Sequence, residues 1–384
     1  MSDNVNNVEV AIIGGGIGGL TTAVALNQQG IDAHVYEQAP AYGEVGGHLT
    51  MDEAAMSVLD RWGLEQPFRE LSCALDGIEV RSLGTGEVIV HMPLPDLANM
   101  GVADENRAGS RVARAFLRTD YLKMLTSNLP EDKVHVGQKL IELSGDSDGA
   151  TAKFESGAEV RADIILASDG VRSLARAMFD NSEAVRVPHT VLRTLCSVDI
   201  LPDDFPNDRM RFWDGWEFGD KAKGVGVHAM IVPVREGKFV SIDLQFFAGD
   251  QLEDCDPQSI PVDRVMSRYP ETMTPIIKKM VDARLEPIAA YPLFDRPVAN
   301  KWVDNRIAIL GDAAHSMRPN LGQGACQSVH DAGELANQFA EHGLTTEALL
   351  AYEAIRKPYT QSVVEAAKNV VVDPKAWKSD KKPD

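Results

Sequence analysis

The feature that most constrains the fold is a run of glycines set between two apolar patterns of different period. Residues 8–13 form a short apolar run of strand type, followed by Gly14-Gly15-Gly16-Ile17-Gly18-Gly19. Leu20, Ala23, Val24 and Leu26 then recur at helical spacing until Gly30, and residues 34–37 read as a second short strand. Strand, glycine turn, helix and strand in this order make a βαβ unit. The G-x-G-x-x-G spacing has a mechanical reason: Gly14 permits a tight turn, Gly16 lets backbone approach a pyrophosphate, and Gly19 lets the helix pack closely on its strand. The helix N-terminus adds free N–H groups and about half a positive charge. Glu37, at the end of the second strand, places a carboxylate where a ribose diol would donate to it and a 2′-phosphate would be repelled. The chain therefore opens as a dinucleotide-binding fold.

That site must bind anions without help from overall charge, because the chain carries 38 Lys and Arg against 57 Asp and Glu, a net −19. The acidic balance argues against an extended basic patch for nucleic acid or anionic lipid. A length of 384 residues with 44% apolar content suits two domains, or one large α/β domain with an insertion. Cys73, Cys196, Cys255 and Cys326 are scattered, with no C-x-x-C pair and no zinc-ligand spacing, so reduced thiols and no metal site are expected. Residues 1–9 are polar and lack a positive n-region, and no apolar run approaches the ~18 residues of a membrane span. A cytoplasmic monomer or homodimer, binding neither membrane nor nucleic acid, is the expectation.

Further along, residues 54–62 and 119–129 read as helices, the second with Thr119 or Asp120 as a cap. Residues 133–154 alternate around a Gly-rich turn at 144–149, and residues 162–167 form a buried-type strand ending in Ser168-Asp169-Gly170. Between about 185 and 291 the texture changes to alternating strands at 225–232 and 238–247, with Phe212, Trp213, Trp216 and Phe218 nearby. Residues 306–310 return to the buried-strand pattern, and Ala325, Val329, Ala332, Leu335, Ala336 and Phe339 make a helical stripe. The fold class expected is α/β: a Rossmann-like dinucleotide-binding domain with an inserted mixed or antiparallel β-sheet substrate domain and a C-terminal helical segment. Residues 1–75, 111–184 and 293–378 fall to the first, 76–110 and 185–292 to the second, and 379–384 to a polar tail.

Two more glycine–acid pairs specify the dinucleotide. Asp163-Ile164-Ile165-Leu166-Ala167-Ser168-Asp169-Gly170 is a strand running into a turn, with Arg172 and Arg176 just beyond. Ile307-Ala308-Ile309-Leu310-Gly311-Asp312-Ala313-Ala314-His315 is a strand ending in Gly-Asp, and Pro319-Asn320-Leu321-Gly322-Gln323-Gly324 opens the stripe helix. With these three motifs in order, the chain from Val8 to about Arg356 resembles the single-component flavin-dependent aromatic hydroxylases, related to 4-hydroxybenzoate and salicylate hydroxylases. The resemblance implies FAD as cofactor and NADH or NADPH as a transient co-substrate. It assigns the ribityl chain to Asp312 after Gly311, the pyrimidine edge of the flavin to the N–H groups of Leu321 and Gly322, and the substrate side of the ring to Pro319. Arg118 matches the family's arginine near the ribityl chain, and Asp169 and Gly170 match a turn associated with both FAD and NAD(P)H. One departure stands out: where many relatives carry an arginine after the ribose-binding acid, this chain reads Ala41-Tyr42-Gly43-Glu44-Val45-Gly46-Gly47. His330-Asp331-Ala332 replaces Glu-Asp-Ala and reads as a helix-surface change.

The implied reaction is hydroxylation of an aromatic or conjugated small molecule by O2 through a flavin C4a-hydroperoxide, under a roof formed by the inserted sheet. Candidate substrate contacts are His48, His228, Met230, Gln245, Phe247 and Tyr291. Alternation pairs His228 with Met230 and Gln245 with Phe247 on their strands, leaving open which faces look inward. His228 could orient or deprotonate a phenol. His315 is expected to brace its turn, Trp213 and Trp216 to pack under the sheet, and Arg193, Arg209 and Arg211 to be solvated rather than to clamp a carboxylate. Flavin-dependent halogenases are disfavoured because Trp213-Asp214-Gly215-Trp216 lacks their Trp-x-Trp-x-x-Pro spacing. The alternatives are a tetracycline-type antibiotic-inactivating monooxygenase, with which Gly46-Gly47-His48-Leu49 is compatible, and a non-enzymatic FAD sensor.

Overall fold

A strand that is apolar on both faces needs parallel neighbours covered by helices, and this chain recruits them from distant segments. A computed structural model describes residues 5–42, 47–93, 113–202, 205, 207–219, 226–247, 252, 254–271, 273 and 275–369. Among them, the strand Val5–Ile13 runs into the glycine turn and the helix Ile17–Gln28. The strand sits inside an eight-stranded sheet whose path is Val303–Asp304, Ile307–Ile309, Glu159–Ala167, Val5–Ile13, Ala33–Tyr36 and Val134–His135. Ala150–Phe154 and Leu140–Gly145 extend it from Glu159–Ala167, on either side of the turn expected there. Ile307–Ile309, Glu159–Ala167, Val5–Ile13 and Ala33–Tyr36 are mutually parallel, with Ile13 opposite both Ala167 and Tyr36. The carboxyl ends of these strands therefore lie side by side. The helix Gly324–His342 packs on Ile17–Gln28, and its apolar stripe joins the same core as Val10, Ile12, Leu20 and Ile165.

The inserted strands make a second sheet of seven, ordered Ala289–Asp295, Val185–Ser197, Phe239–Phe247, Gly226–Val234, Met210–Asp214, Gly77–Ser82 and Val88–Pro93. All pairings are antiparallel except Met210–Asp214 with Gly77–Ser82, so the sheet is mixed. Helices Val262–Met266 and Pro275–Asp282 cover one face, where Leu192, Trp213, Ala229, Ile231, Ile242 and Leu244 meet Val265, Ile277 and Met280. Leu195, Val232 and Val234 point the other way. They pack on Leu75, Ala115 and Leu117 of a small sheet formed by His48–Asp52, Ala113–Leu117 and Cys73–Leu75.

The second helix begins earlier than its composition suggests. Arg118–Thr126 follows directly from Ala113–Leu117, its N-cap is Leu117, and no side chain caps it. Thr119 and Asp120 are already helical, and Asp120 instead takes a bidentate contact from Arg235 at 2.7 and 2.9 Å. The extended backbone of Leu117 makes the transition, so a polar cap is not needed to start the turn. Trp213 is buried on the helix-covered face, as expected. The polar tail at 379–384, residues 94–110 of the first inserted segment, and the side chains of Trp216 and Phe247 lie outside what is described. Among the described residues, no helix is long and apolar enough to cross a membrane.

Candidate active site

The parallel register brings the three glycine–acid motifs together. Gly14 follows Val5–Ile13, Glu37 follows Ala33–Tyr36, Ser168 and Asp169 follow Glu159–Ala167, and Gly311-Asp312 lies just beyond Ile307–Ile309. Ligands of such sheets bind outside the carboxyl ends of the strands. Two glycines are sterically required there: a β-carbon on Gly14, at φ +104°, would sit 2.3 Å from the Ser168 carbonyl oxygen, and one on Gly19 would sit 1.9 Å from that of Gly14. Around Gly16, by contrast, a β-carbon would meet nothing within 4 Å, so this stretch of backbone faces open space. The helix starting at Ile17 has no side-chain cap, which leaves its first N–H groups for a ligand. Glu37 stands at the same mouth, its two oxygens accepting from Gly15 N at 2.6 Å and Ala39 N at 2.8 Å.

Asp312 has an accessible side chain although protein surrounds it, as expected of a group on the wall of a deep cleft. This burial pushes its carboxyl up, opposed by His315 and Arg118. Arg118 is exposed and acts on Tyr42 and Tyr291 as well, so its guanidinium lies between the glycine turn and the second sheet. Tyr42 Oη and Asp169 Oδ1 are buried with no hydrogen-bond partner among the described residues. Asp169 Oδ2 caps the turn beyond, accepting from Leu174 N at 2.8 Å and Ala175 N at 3.2 Å. Gly170 adopts φ +81°. Gly322 adopts φ +62° after Pro319–Leu321, and its carbonyl accepts from Thr50 Oγ1 at 3.2 Å; Pro319 is exposed and Leu321 partly so. An open glycine turn, a helix N-terminus, two carboxylates for hydroxyl-rich chains and orphaned polar atoms fit FAD. Residues 43–46, within the segment that lacks the usual arginine, are not described, but Tyr42 beside Gly15 is. Burial, reinforced by Glu37, pushes its hydroxyl up to about 12.

The second sheet turns polar side chains toward this cleft. His48, Ser241, Asp243, Arg193 and Tyr291 meet on the face opposite the covering helices. His48 Nδ1 is 3.1 Å from Ser241 Oγ and 3.5 Å from Asp243 Oδ1. Arg193 Nε lies 3.1 and 3.2 Å from the two oxygens of Asp243, and its guanidinium stands 5.2 Å over the Tyr291 ring. Gly47 makes room: a β-carbon there would be 2.1 Å from an Arg193 nitrogen. Burial pushes His48 down to about 4, with Asp243 opposing and Arg193 adding. His228 shares this face with Met230 and is buried; its Nδ1 accepts from Gly215 N at 3.2 Å and lies 3.3 Å from Asp214, while Phe212 stacks on the ring at 5.2 Å. His189 neighbours Gln245, and burial brings it to about 4 as well.

Alternation names Gln245 but passes over Asp243 two residues before it; the missed signal is a carboxylate inside a strand that carries no other charge. The expectation of solvated arginines is corrected in two places. Arg193 pairs with Asp243 inside the cleft, and Arg211 is 1% exposed, bonded to Glu79 at 3.2 Å and stacked over Phe205 at 4.1 Å. In both cases a cross-strand carboxylate compensates the cation, which is buried at Arg211 and partly buried at Arg193. Also missed is Asp331, fully buried beneath the Gly-Asp turn. It accepts from Gly311 N at 2.9 Å, meets His315 Nε2 at 2.6 Å and takes Arg356 Nε at 2.8 Å. Burial pushes Asp331 up, but His315 and Arg356 outweigh it and hold the carboxyl well below the usual range. His315 thus braces the turn. Arg176 does so from the other side, donating to Ala313 O at 3.2 Å. Among the described residues, no group of His, Cys, Asp and Glu is placed to hold a metal.

Known proteins share this arrangement. The family model described as FAD binding domain matches residues 7–367. The 3-amino-4-hydroxybenzoate 2-monooxygenase of Streptomyces cremeus is 26% identical over 365 residues, covering 95% of this chain and 87% of its own. The 3-hydroxybenzoate 6-hydroxylase of Klebsiella oxytoca is 27% identical over 359 residues, covering 92% and 85%. The structure of Klebsiella pneumoniae HpxO complexed with FAD and uric acid superimposes with a TM-score of 0.78 at 25% identity, covering 94% of this chain and 87% of that one. With the family model matching nearly the whole chain and relatives aligned over most of it, the chain belongs to the FAD binding domain family, as an FAD-dependent monooxygenase of the single-component aromatic hydroxylase group.

Proposed function

We propose that this protein hydroxylates an aromatic or conjugated small molecule with O2, using NADH or NADPH to reduce its FAD. The observation that carries the reading is that His48, Arg193, Asp243 and Tyr291 meet in one polar cluster at the face of the seven-stranded sheet opposite its covering helices. FAD, when bound, supplies electron transfer from the nicotinamide and activation of O2. The chain's own residues hold and shield it. Gly14, Gly16 and Gly19 with the helix N-terminus take the pyrophosphate, Glu37 the adenosine ribose, and Asp312 with Arg118 the ribityl chain. The turn of Leu321 and Gly322 would lie at the pyrimidine edge, where the Leu321 N–H would stabilise negative charge on the reduced cofactor; the Gly322 N–H donates instead to Pro319 O at 2.9 Å. Pro319 lines the ring on the substrate side. Asp169 and Gly170 shape the turn at which the nicotinamide nucleotide visits. The sheet excludes water over the ring, and His48, His228 and Tyr291 orient the substrate.

Neutral His48 suits this role, since it accepts or donates a hydrogen bond without carrying charge at neutral pH. The test is substrate-stimulated NAD(P)H oxidation by the yellow protein, with product mass measured. A gain of one oxygen atom supports the reading; a flavoprotein inert to both nicotinamides overturns it in favour of an FAD sensor. Relatives named for hydroxybenzoates, and HpxO, solved with uric acid, make aromatic acids and heterocycles the first panel to screen.

A further inference from the structure

Given the hydroxylase reading, the charges on the roof narrow the substrate class. The cation that projects from the roof sheet into the cluster, Arg193, is already neutralised. Its Nε is 3.1 and 3.2 Å from the two oxygens of Asp243, a residue 1% exposed, and its guanidinium is held over Tyr291 and against Gly47. A substrate carboxylate would have to compete with Asp243 for Arg193 while sitting beside a second negative charge in a poorly solvated site, where like-charge repulsion is weakly screened. Elsewhere on the same face His228 is 3.3 Å from Asp214, a further carboxylate. Arg118, the other guanidinium acting on Tyr291, also acts on Tyr42 and Asp312 on the proposed cofactor side.

We propose that the site takes an uncharged aromatic, bearing a hydroxyl or ring N–H and no carboxylate, and that Asp243 sets this choice by neutralising Arg193. Such a ligand donates its O–H or N–H to the carboxylate or hydroxyl acceptors of the cluster and places no charge against them. His48, kept neutral by burial, adds a hydrogen-bonding edge and no positive charge.

The test uses oxidised FAD-loaded protein, so it does not depend on turnover. The three hydroxybenzamide isomers and the three matching hydroxybenzoates are titrated at neutral pH, and binding is read from the flavin absorption spectrum. The expected result is that the best amide binds about tenfold or more tightly than its matched acid, the size of a charge-assisted hydrogen bond. In Asp243→Asn this ratio should fall at least about tenfold or reverse, since Arg193 becomes available to the acid. The double variant Arg193→Gln/Asp243→Asn guards against misfolding around an unpaired cation. It should show a ratio closer to one than the wild type, without reversal. Tighter binding of the acids by wild type, absence of any spectral change with the amides, or ratios unchanged in either folded variant would overturn the proposal. NAD(P)H oxidation assays on the same protein separate that outcome from failure of the hydroxylase reading, because a specificity error leaves substrate-stimulated oxidation intact.

Discussion

At the residue scale, two positions test the proposed dinucleotide cradle. Gly16 is the only place in the fingerprint where open space meets the backbone without a crowding neighbour or a positive φ, in contrast to Gly14 and Gly19. That open space is where the proposed pyrophosphate site lies. Gly16→Val should leave thermal stability of the apoprotein within about 1 kcal/mol of wild type, the usual size of a glycine replacement effect, yet abolish yellow colour after purification. Retained flavin would refute the assignment. Asp312 sits at the same mouth with its side chain accessible and its carboxyl pushed up by the surrounding protein, so a ligand hydroxyl entering there can donate to it. Asp312→Ala should weaken FAD by about 1.5–3 kcal/mol, the worth of a hydrogen bond to a charged acceptor, measurable by fluorescence titration of the apoprotein. A full flavin complement at low FAD concentration would show the carboxylate to be idle.

At the scale of elements, the Gly-Asp turn is fixed by the helices behind it. Asp331 on Gly324–His342 joins the backbone of Gly311, the ring of His315 and the guanidinium of Arg356 on the helix Thr346–Asn369. Asp331→Asn leaves Arg356 buried without its counter-charge, so a loss of about 3–5 kcal/mol in urea unfolding is expected. Flavin affinity should fall with it. An unchanged unfolding midpoint would mean that the network contributes nothing to the turn. Much of this architecture was legible from residues alone: the βαβ opening, the two later glycine–acid strands and the stripe helix each have a local period and a punctuating glycine. The roof was legible only as a sheet. Alternation puts His228 with Met230 and passes through Asp243, yet cannot say which face meets the cleft, because both faces bear apolar side chains. Nor does local pattern reveal that Arg193 pairs with Asp243, fifty positions away, or that Leu117 begins a helix without a polar cap.

For the whole molecule, the acidic surface and the site obey different rules. The net −19 belongs to a chain whose glycine-turn helix carries no side-chain cap, so the proposed FAD site draws on backbone N–H groups rather than overall charge. At the open face of the seven-stranded sheet, burial pushes His48 and His189 down from the ordinary 6.5 to about 4, so between those values the unfolded chain binds more protons. Stability should therefore be full above about pH 6.5 and decline as pH falls toward 4, by about 3 kcal/mol per histidine. Urea unfolding across this window checks it, and His48→Gln with His189→Gln should flatten the slope. A slope unchanged by both substitutions would place the titration elsewhere.

The central claim is that the glycine cradle and the polar roof enclose one reaction chamber. Its most direct measurement is NAD(P)H consumption by FAD-loaded protein with and without an aromatic panel, coupled to product mass. Accelerated oxidation with at least one aromatic and a product heavier by one oxygen atom are expected. Yellow protein that no aromatic stimulates, and that leaves every compound unmodified, would contradict it.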